Sequence, residues 1–226
     1  MSARNENHKL IHTMAEVAVF AALGFILDLI ASAIPNPLFA NGGSFGIALA
    51  AVFFIAFRRG VLPGVFCGLI IGLLQLIGGV YTSSLANTPW KLFAQIALDY
   101  WLAYPVAGLA GLFSPLYQKA QTKGIKTLWL SLGCFAGGLM KFLSHFLAGI
   151  FFWPSSTWSI GDTNIEIAGG PAVYSLVYNG AYMLPDTIVS ALIVIIIALR
   201  IPASLDPDHA LLSVRKSDGQ EVEEDK

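Results

Sequence analysis

Charge is what this sequence has least of. Only 12% of its 226 residues are Asp, Glu, Lys or Arg, against 56% hydrophobic, whereas soluble domains carry about a quarter charged residues. Cysteine is scarcer still: Cys67 and Cys134 both lie inside apolar runs, which argues against a disulfide framework or a thiolate metal site. Histidine occurs four times, only His145 falls mid-run, and no H-E-x-x-H pair is present, so metal-assisted hydrolysis lacks ligands at helical spacing. No metal or other cofactor is expected. What the chain has instead is a series of apolar stretches about twenty residues long and a mean hydropathy of +0.69. That combination defines an integral membrane protein.

Six helices can be placed along it, giving an all-α fold. A polar N-terminal segment, residues 1–12, precedes a membrane body, residues 13–200, and an acidic tail, residues 201–226, without apolar periodicity and read as disordered. The first helix runs over about 14–34; its Ala31-Ser32-Ala33 imitates a signal-peptidase site, but the run is longer than a signal core and holds Glu16 and Asp28. Residues 35–44, with two prolines and two glycines, form a loop. Helices two (45–57) and three (61–80) meet at Arg58-Arg59-Gly60; helix four covers about 90–117, helix five 128–153 and helix six 173–199, with a polar loop at 154–172. Arg4, Lys9, Arg58, Arg59, Lys119, Lys123, Lys126 and Arg200 then share one side, facing only Lys91 on the other. The positive-inside rule puts both termini in the cytoplasm. Net charge of −1 averages basic turns with the acidic tail and gives no ground for a nucleic-acid partner.

The functional signal is concentrated in LMKFLSHFLAGIFFW, residues 139–153. Lys141, His145, Gly149 and Trp153 recur every fourth residue, so each stands only about 40° round the helix from the last. One face therefore carries an ammonium, an imidazole, a gap and an indole, and ionisable groups inside a membrane ordinarily face a cavity. By the rise of about 1.5 Å per residue, His145 lies about 12 Å below Trp153, and Asp99 on helix four about 13 Å below Trp90. Tyr174, Tyr178 and Asn179 occupy the first turns of helix six at a similar level. A buried carboxylate needs a partner, either Lys141 or a cationic ligand, and aromatic faces hold cations and flat rings. The set suits a small, planar, polar or cationic heteroaromatic and not an inorganic ion, for which rings of oxygen would be expected.

LDYWLAYPVAGLAGLF, KFLSHFLAGIFFW and VYSLVYNGAY, with AVFAALG near the start and AFRRG at 56–60, resemble the thiamine-specific S-component family of energy-coupling-factor (ECF) transporters, the ThiT/YuaJ family. The resemblance covers the six-helix body and leaves out the tail. It implies a bacterial cell-membrane subunit that captures thiamine from outside, hydrolyses nothing itself, and works with a transmembrane coupling protein and two ATPase subunits. By motif it assigns Lys141, His145, Gly149, Trp153, Tyr174 and Asn179 to the vitamin pocket, with Asp99 and Tyr100 where the family commonly has Glu-Tyr. It also assigns Ala18 and Ala22, four apart on helix one, to the partner interface; their spacing alone is equally that of ordinary helix packing. The first outer loop lacks the tryptophan expected to cover the ligand, leaving Phe39 or Phe45, and loop 35–44 is expected to act as a gate.

Other readings compete. Asp99, Lys141 and His145 could form a polar network that merely locks helices. Asp99 and His145 could relay protons in an autonomous carrier, although no inverted repeat is visible, and another small heteroaromatic could replace thiamine. Trp90 reads as an interfacial belt residue, Glu16 as snorkelling or interfacial, and Asp28 and Asp186 as structural or undetermined, with a backbone group freed beside Pro185 as one candidate for Asp186 to serve.

Overall fold

The structure, a computed structural model, describes residues 3–32 and 46–209. Helix one spans Ala3–Ser32, helix two Ala48–Arg59, helix three Val61–Gln75, the fourth span Pro89–Lys119, helix five Lys123–Phe152 and helix six Gly170–Arg200. Loop 35–44, its proposed gating role, Phe39 and Phe45 lie outside the described residues. Five of the described helices are long and apolar enough to cross a membrane, the protein being a multi-pass membrane protein. Helix two is the exception. Its twelve described residues rise only about 18 Å, against a hydrocarbon core of about 30 Å, and Ala48 through Arg58 are all buried. It forms the central post around which the other helices stand.

Local chemistry explains the boundaries. Thr88 accepts a hydrogen bond from the Lys91 N–H at 3.3 Å with Pro89 beginning the helix, and Thr122 accepts from the Ile125 N–H at 3.3 Å, so each span starts on an N-cap. Gly60, at φ 92°, turns the chain between helices two and three, a backbone conformation that favours glycine. Helix three ends earlier than the hydropathy suggests, passing at Gln75 into a short 3-10 turn, Leu76–Gly78. Its Gly64, Gly68 and Gly72 let its backbone lie directly on the fourth span: a Cβ on Gly68 would collide with the Tyr104 carbonyl, and one on Gly108 with the backbone of Gly64 and Val65. The small-residue seam inside the body is therefore here. Ala18 and Ala22 are exposed, on the face of helix one that turns away from the other helices.

Two sequence expectations need correction. The loop at 154–172 contains an antiparallel hairpin, Thr157–Ile160 with Thr163–Glu166, so the described chain is not purely helical. Gly161, at φ 57°, opens a two-residue turn with Asp162, the arrangement a tight hairpin favours. The body also extends past residue 200. Pro202–Leu205 forms a 3-10 turn with Ser204 and Leu205 buried, and the backbone through His209 lies against Arg58 and Arg59.

Those contacts form a closed ionic knot at the end of the bundle opposite the hairpin. Both Glu16 oxygens take Arg58 (2.8 and 3.0 Å) and both take Arg59 (2.7 and 2.7 Å). Arg58, 1% exposed, uses its remaining N–H groups on the carbonyls of Ser204, Asp206 and His209. Glu16 is thus neither snorkelling nor interfacial; its single negative charge is shared by two guanidinium groups, each bound in bidentate geometry.

Candidate functional site

Helices five and six form the most extensive helix pair, and their seam builds the site. Gly149 makes close approach possible: a Cβ there would overlap the Ser175 hydroxyl and sit 3.1 Å from the Asn179 amide nitrogen. Ser175 Oγ donates to the Phe146 carbonyl at 2.8 Å, and Asn179 Nδ2 donates to the Ser175 carbonyl and Oγ, both at 3.0 Å. The Tyr182 hydroxyl donates to Asn179 Oδ1 at 2.7 Å. The amide's orientation follows from these partners, with one Oδ1 lone pair still open.

The fourth span contributes the carboxylate through a local irregularity. Its α-helix gives way to a π-turn over Ala97–Trp101, closed by the Leu102 N–H on the Ala97 carbonyl at 2.7 Å. Single π-turns recur at functional sites. Ser144 of helix five donates to the Leu98 carbonyl at 2.6 Å within that turn. The turn holds Asp99, which accepts from Trp153 Nε1 and Gln95 Nε2, each at 3.3 Å, and stands 3.8 Å from His145 Nδ1. Gln95 also ties down the loop before the span through the Tyr81 carbonyl and the Ser83 N–H, at 2.8 and 3.0 Å. Tyr100, next in the turn, accepts from the Tyr81 N–H at 3.2 Å.

These groups line one cavity of about 790 Å³, within the range of roughly 300–1,000 Å³ common to ligand sites. It brings together all eight of the pocket residues expected from sequence: Asp99, Tyr100, Lys141, His145, Gly149, Trp153, Tyr174 and Asn179. Lys141 departs from expectation in its partner. Among the described residues it forms no ion pair; the residue is 5% exposed, and its ammonium lies 4.3 Å from the centre of the Tyr104 ring. His145 Nε2 is buried with no hydrogen-bond partner among the described residues. Tyr174, Tyr178 and Tyr182, at helical spacing, carry an aromatic wall from the hairpin, where Trp158 meets Tyr178 at 5.6 Å, to His145, whose ring centre lies 6.3 Å from that of Tyr182.

Several lining groups were not assigned from sequence, namely Asp28, Gln75, Tyr104, Tyr182 and Asp186. Asp28 and Gln75 were legible only as lone polar residues in apolar runs, and Tyr182 only as the third tyrosine of a four-residue stripe. Asp186 does not serve a backbone group freed beside Pro185; it accepts from the Gly46 N–H at 2.8 Å. Trp90 is 73% exposed, outside the cavity, and stacks on Phe93, consistent with a belt position. No group of three His, Cys, Asp or Glu residues among those described could hold a metal ion. The spelling G-x-S-x-G occurs once, at 42–46, and its first four residues lie outside the described residues.

A bundle of membrane helices closed around carboxylates, tyrosines, an imidazole and an ammonium that forms no ion pair among the described residues has the form of a small-molecule binding chamber. Comparison with known proteins makes the class specific. Residues 14–205 match the model of the thiamine transporter protein family, Thia_YuaJ. The chain is 30% identical over 211 residues to the thiamine transporter ThiT of Bacillus subtilis, covering 91% of this chain and all of that protein. It is 29% identical over 194 residues to the thiamine transporter ThiT of Lacticaseibacillus paracasei, covering 84% of this chain and 88% of the other. A solved structure of ThiT from Listeria monocytogenes superposes with a TM-score of 0.70 at 27% identity, covering 88% of this chain and all of that one. This chain belongs to the Thia_YuaJ thiamine transporter family.

Proposed function

We propose that the chain is the substrate-capturing S-component of an ECF-type importer in a bacterial cell membrane, and that the chamber binds thiamine from the outside. The observation that carries this reading is Asp99, held beside Trp153 and His145 in a chamber walled by tyrosines. A desolvated carboxylate among aromatic faces favours a flat organic cation. The thiazolium lies near Asp99 and the rings, and the open Asn179 Oδ1 lone pair accepts from the amino group of the pyrimidine.

On this reading the chain passes through the membrane six times, helix two making its short passage inside the bundle, with both termini in the cytoplasm. The exposed Ala18 and Ala22 face receives the transmembrane coupling protein, and two ATPase subunits drive release. No residue of the chain acts as a catalyst. The purified protein should be thermally stabilised by thiamine, through mass action on the native state, and not by riboflavin or biotin. A shift with hydroxymethylpyrimidine alone would move the assignment to that ligand. Stabilisation by none of the panel would overturn it.

A further inference from the structure

Two chamber carboxylates, Asp28 and Asp186, have no part in the reading above, although both are buried and both line the cavity. They meet at the start of helix two. Asp28 Oδ1 accepts from the N–H groups of Ile47 at 3.0 Å and Ala48 at 3.1 Å, and Asp186 Oδ1 accepts from that of Gly46 at 2.8 Å. A helix start leaves such N–H groups without intrahelical acceptors, and Ile47 at the N-cap has no side-chain oxygen to offer. The two aspartates, reaching in from helices one and six, supply the cap.

They differ in what remains. Asp28 Oδ2 is filled by Gln75 Nε2 at 2.6 Å and the Tyr104 hydroxyl at 2.7 Å, so four donors surround that carboxylate. Asp186 Oδ2 accepts from none of the described residues. It stands in the same chamber wall as Lys141, whose ammonium likewise forms no ion pair among the described residues.

We propose that Asp186 is a positioning residue for the chamber's occupant, one oxygen seating the start of helix two and the other carrying negative charge to a cationic ligand. One carboxylate then joins occupancy of the chamber to the point where the chain enters helix two. Asp28, fully surrounded, is a structural cap only. This inference rests on the thiamine reading and deepens it.

The test compares Asp186→Asn, Asp186→Glu and Asp28→Asn in the purified full chain, with thiamine and the neutral hydroxymethylpyrimidine as probes. Asparagine keeps an acceptor for the Gly46 N–H and removes the charge. Asp186→Asn should weaken thiamine binding about ten-fold or more, the scale for losing a unit charge several ångströms away in a partly dry site. It should leave the neutral pyrimidine within about two-fold, and Asp186→Glu should restore most of the thiamine affinity. Asp28→Asn should lower thermal stability without changing the ratio of the two affinities. Equal loss for both probes in Asp186→Asn, or no loss for either, overturns the inference, since a simple cap predicts one or the other. If the wild-type chain holds the pyrimidine too weakly to measure, the Asp186→Asn and Asp186→Glu thiamine affinities decide: equal values overturn it. If Asp186→Asn cannot be recovered folded, Asp186→Glu decides alone, and loss of thiamine binding by that folded variant overturns it. Failure of the wild-type chain to bind thiamine at all sinks the functional reading instead.

Discussion

The two ends of the bundle use buried charge in opposite ways. In the knot, Glu16 takes four hydrogen bonds, and Arg58 places every N–H it has on that carboxylate or on the backbone of residues 204–209. Of the side chains in contact with the knot, only the Ser204 hydroxyl lacks a partner among the described residues. In the chamber, among the described residues, Lys141 rests against a ring without an ion pair, His145 Nε2 has no hydrogen-bond partner, and Asn179 Oδ1 keeps an open lone pair. Residue types alone do not separate the two, because both are carboxylate and cation sets inside apolar helices. Saturation separates them. A polar network that exists to lock helices closes on itself, since any orphaned group in a dry interior is expensive; one that waits for a ligand stays incomplete.

The largest effect should come from opening the closed end. Arg58→Ala strips Glu16 of one bidentate partner and orphans three carbonyls, and should destabilise the protein by about 3–5 kcal/mol, the range for breaking a buried ion pair. Thermal unfolding in detergent would read this, and thiamine affinity in the folded fraction should be unchanged. Next in size, Asp99→Asn should leave folding intact and weaken thiamine binding by about 1.5–3 kcal/mol, the scale of hydrogen bonds to charged groups, or roughly 10- to 150-fold. Calorimetric titration would measure it. Gly149→Ala drives a methyl into Ser175 and should cost about 1–3 kcal/mol as overpacking, seen as lower thermal stability together with weaker binding through the displaced Asn179. Leu147, an exposed residue of the same helix, provides the smallest effect: Leu147→Val should change either measurement by less than about 0.5 kcal/mol.

The sequence made the open end easier to read than the closed one. Lys141, His145, Gly149 and Trp153 announce their shared face by helical spacing, and simple counting of rise places Asp99 and Asn179 at their level. The knot gave no such signal. Glu16 and Arg58 are 42 residues apart, and Arg58 reaches carbonyls 146 to 151 residues away, a relation that backbone acceptors cannot encode by residue type. The roles of Asp28 and Asp186 were hidden for the same reason, the Gly46 to Asp186 bond joining residues 140 apart. The hairpin was legible in principle, since Gly161-Asp162 separates two short alternating segments, Trp158 among them; its polarity made it look like loop. The small-residue pattern was read on helix one, where Ala18 and Ala22 point outward, while Gly64, Gly68 and Gly72 carry the internal contact. Spacing identifies a smooth face, but what covers it depends on the neighbours.

Whether thiamine enters the chamber can be read from one of its own walls. Trp153 donates its indole N–H to Asp99, so a heteroaromatic cation bound there should alter that indole's fluorescence. Titrating thiamine into the purified chain should give a saturable change in tryptophan emission, and Trp153→Phe should abolish it while Trp90→Phe leaves it in place. A full-sized change with an unaltered midpoint in Trp153→Phe would place the ligand somewhere else.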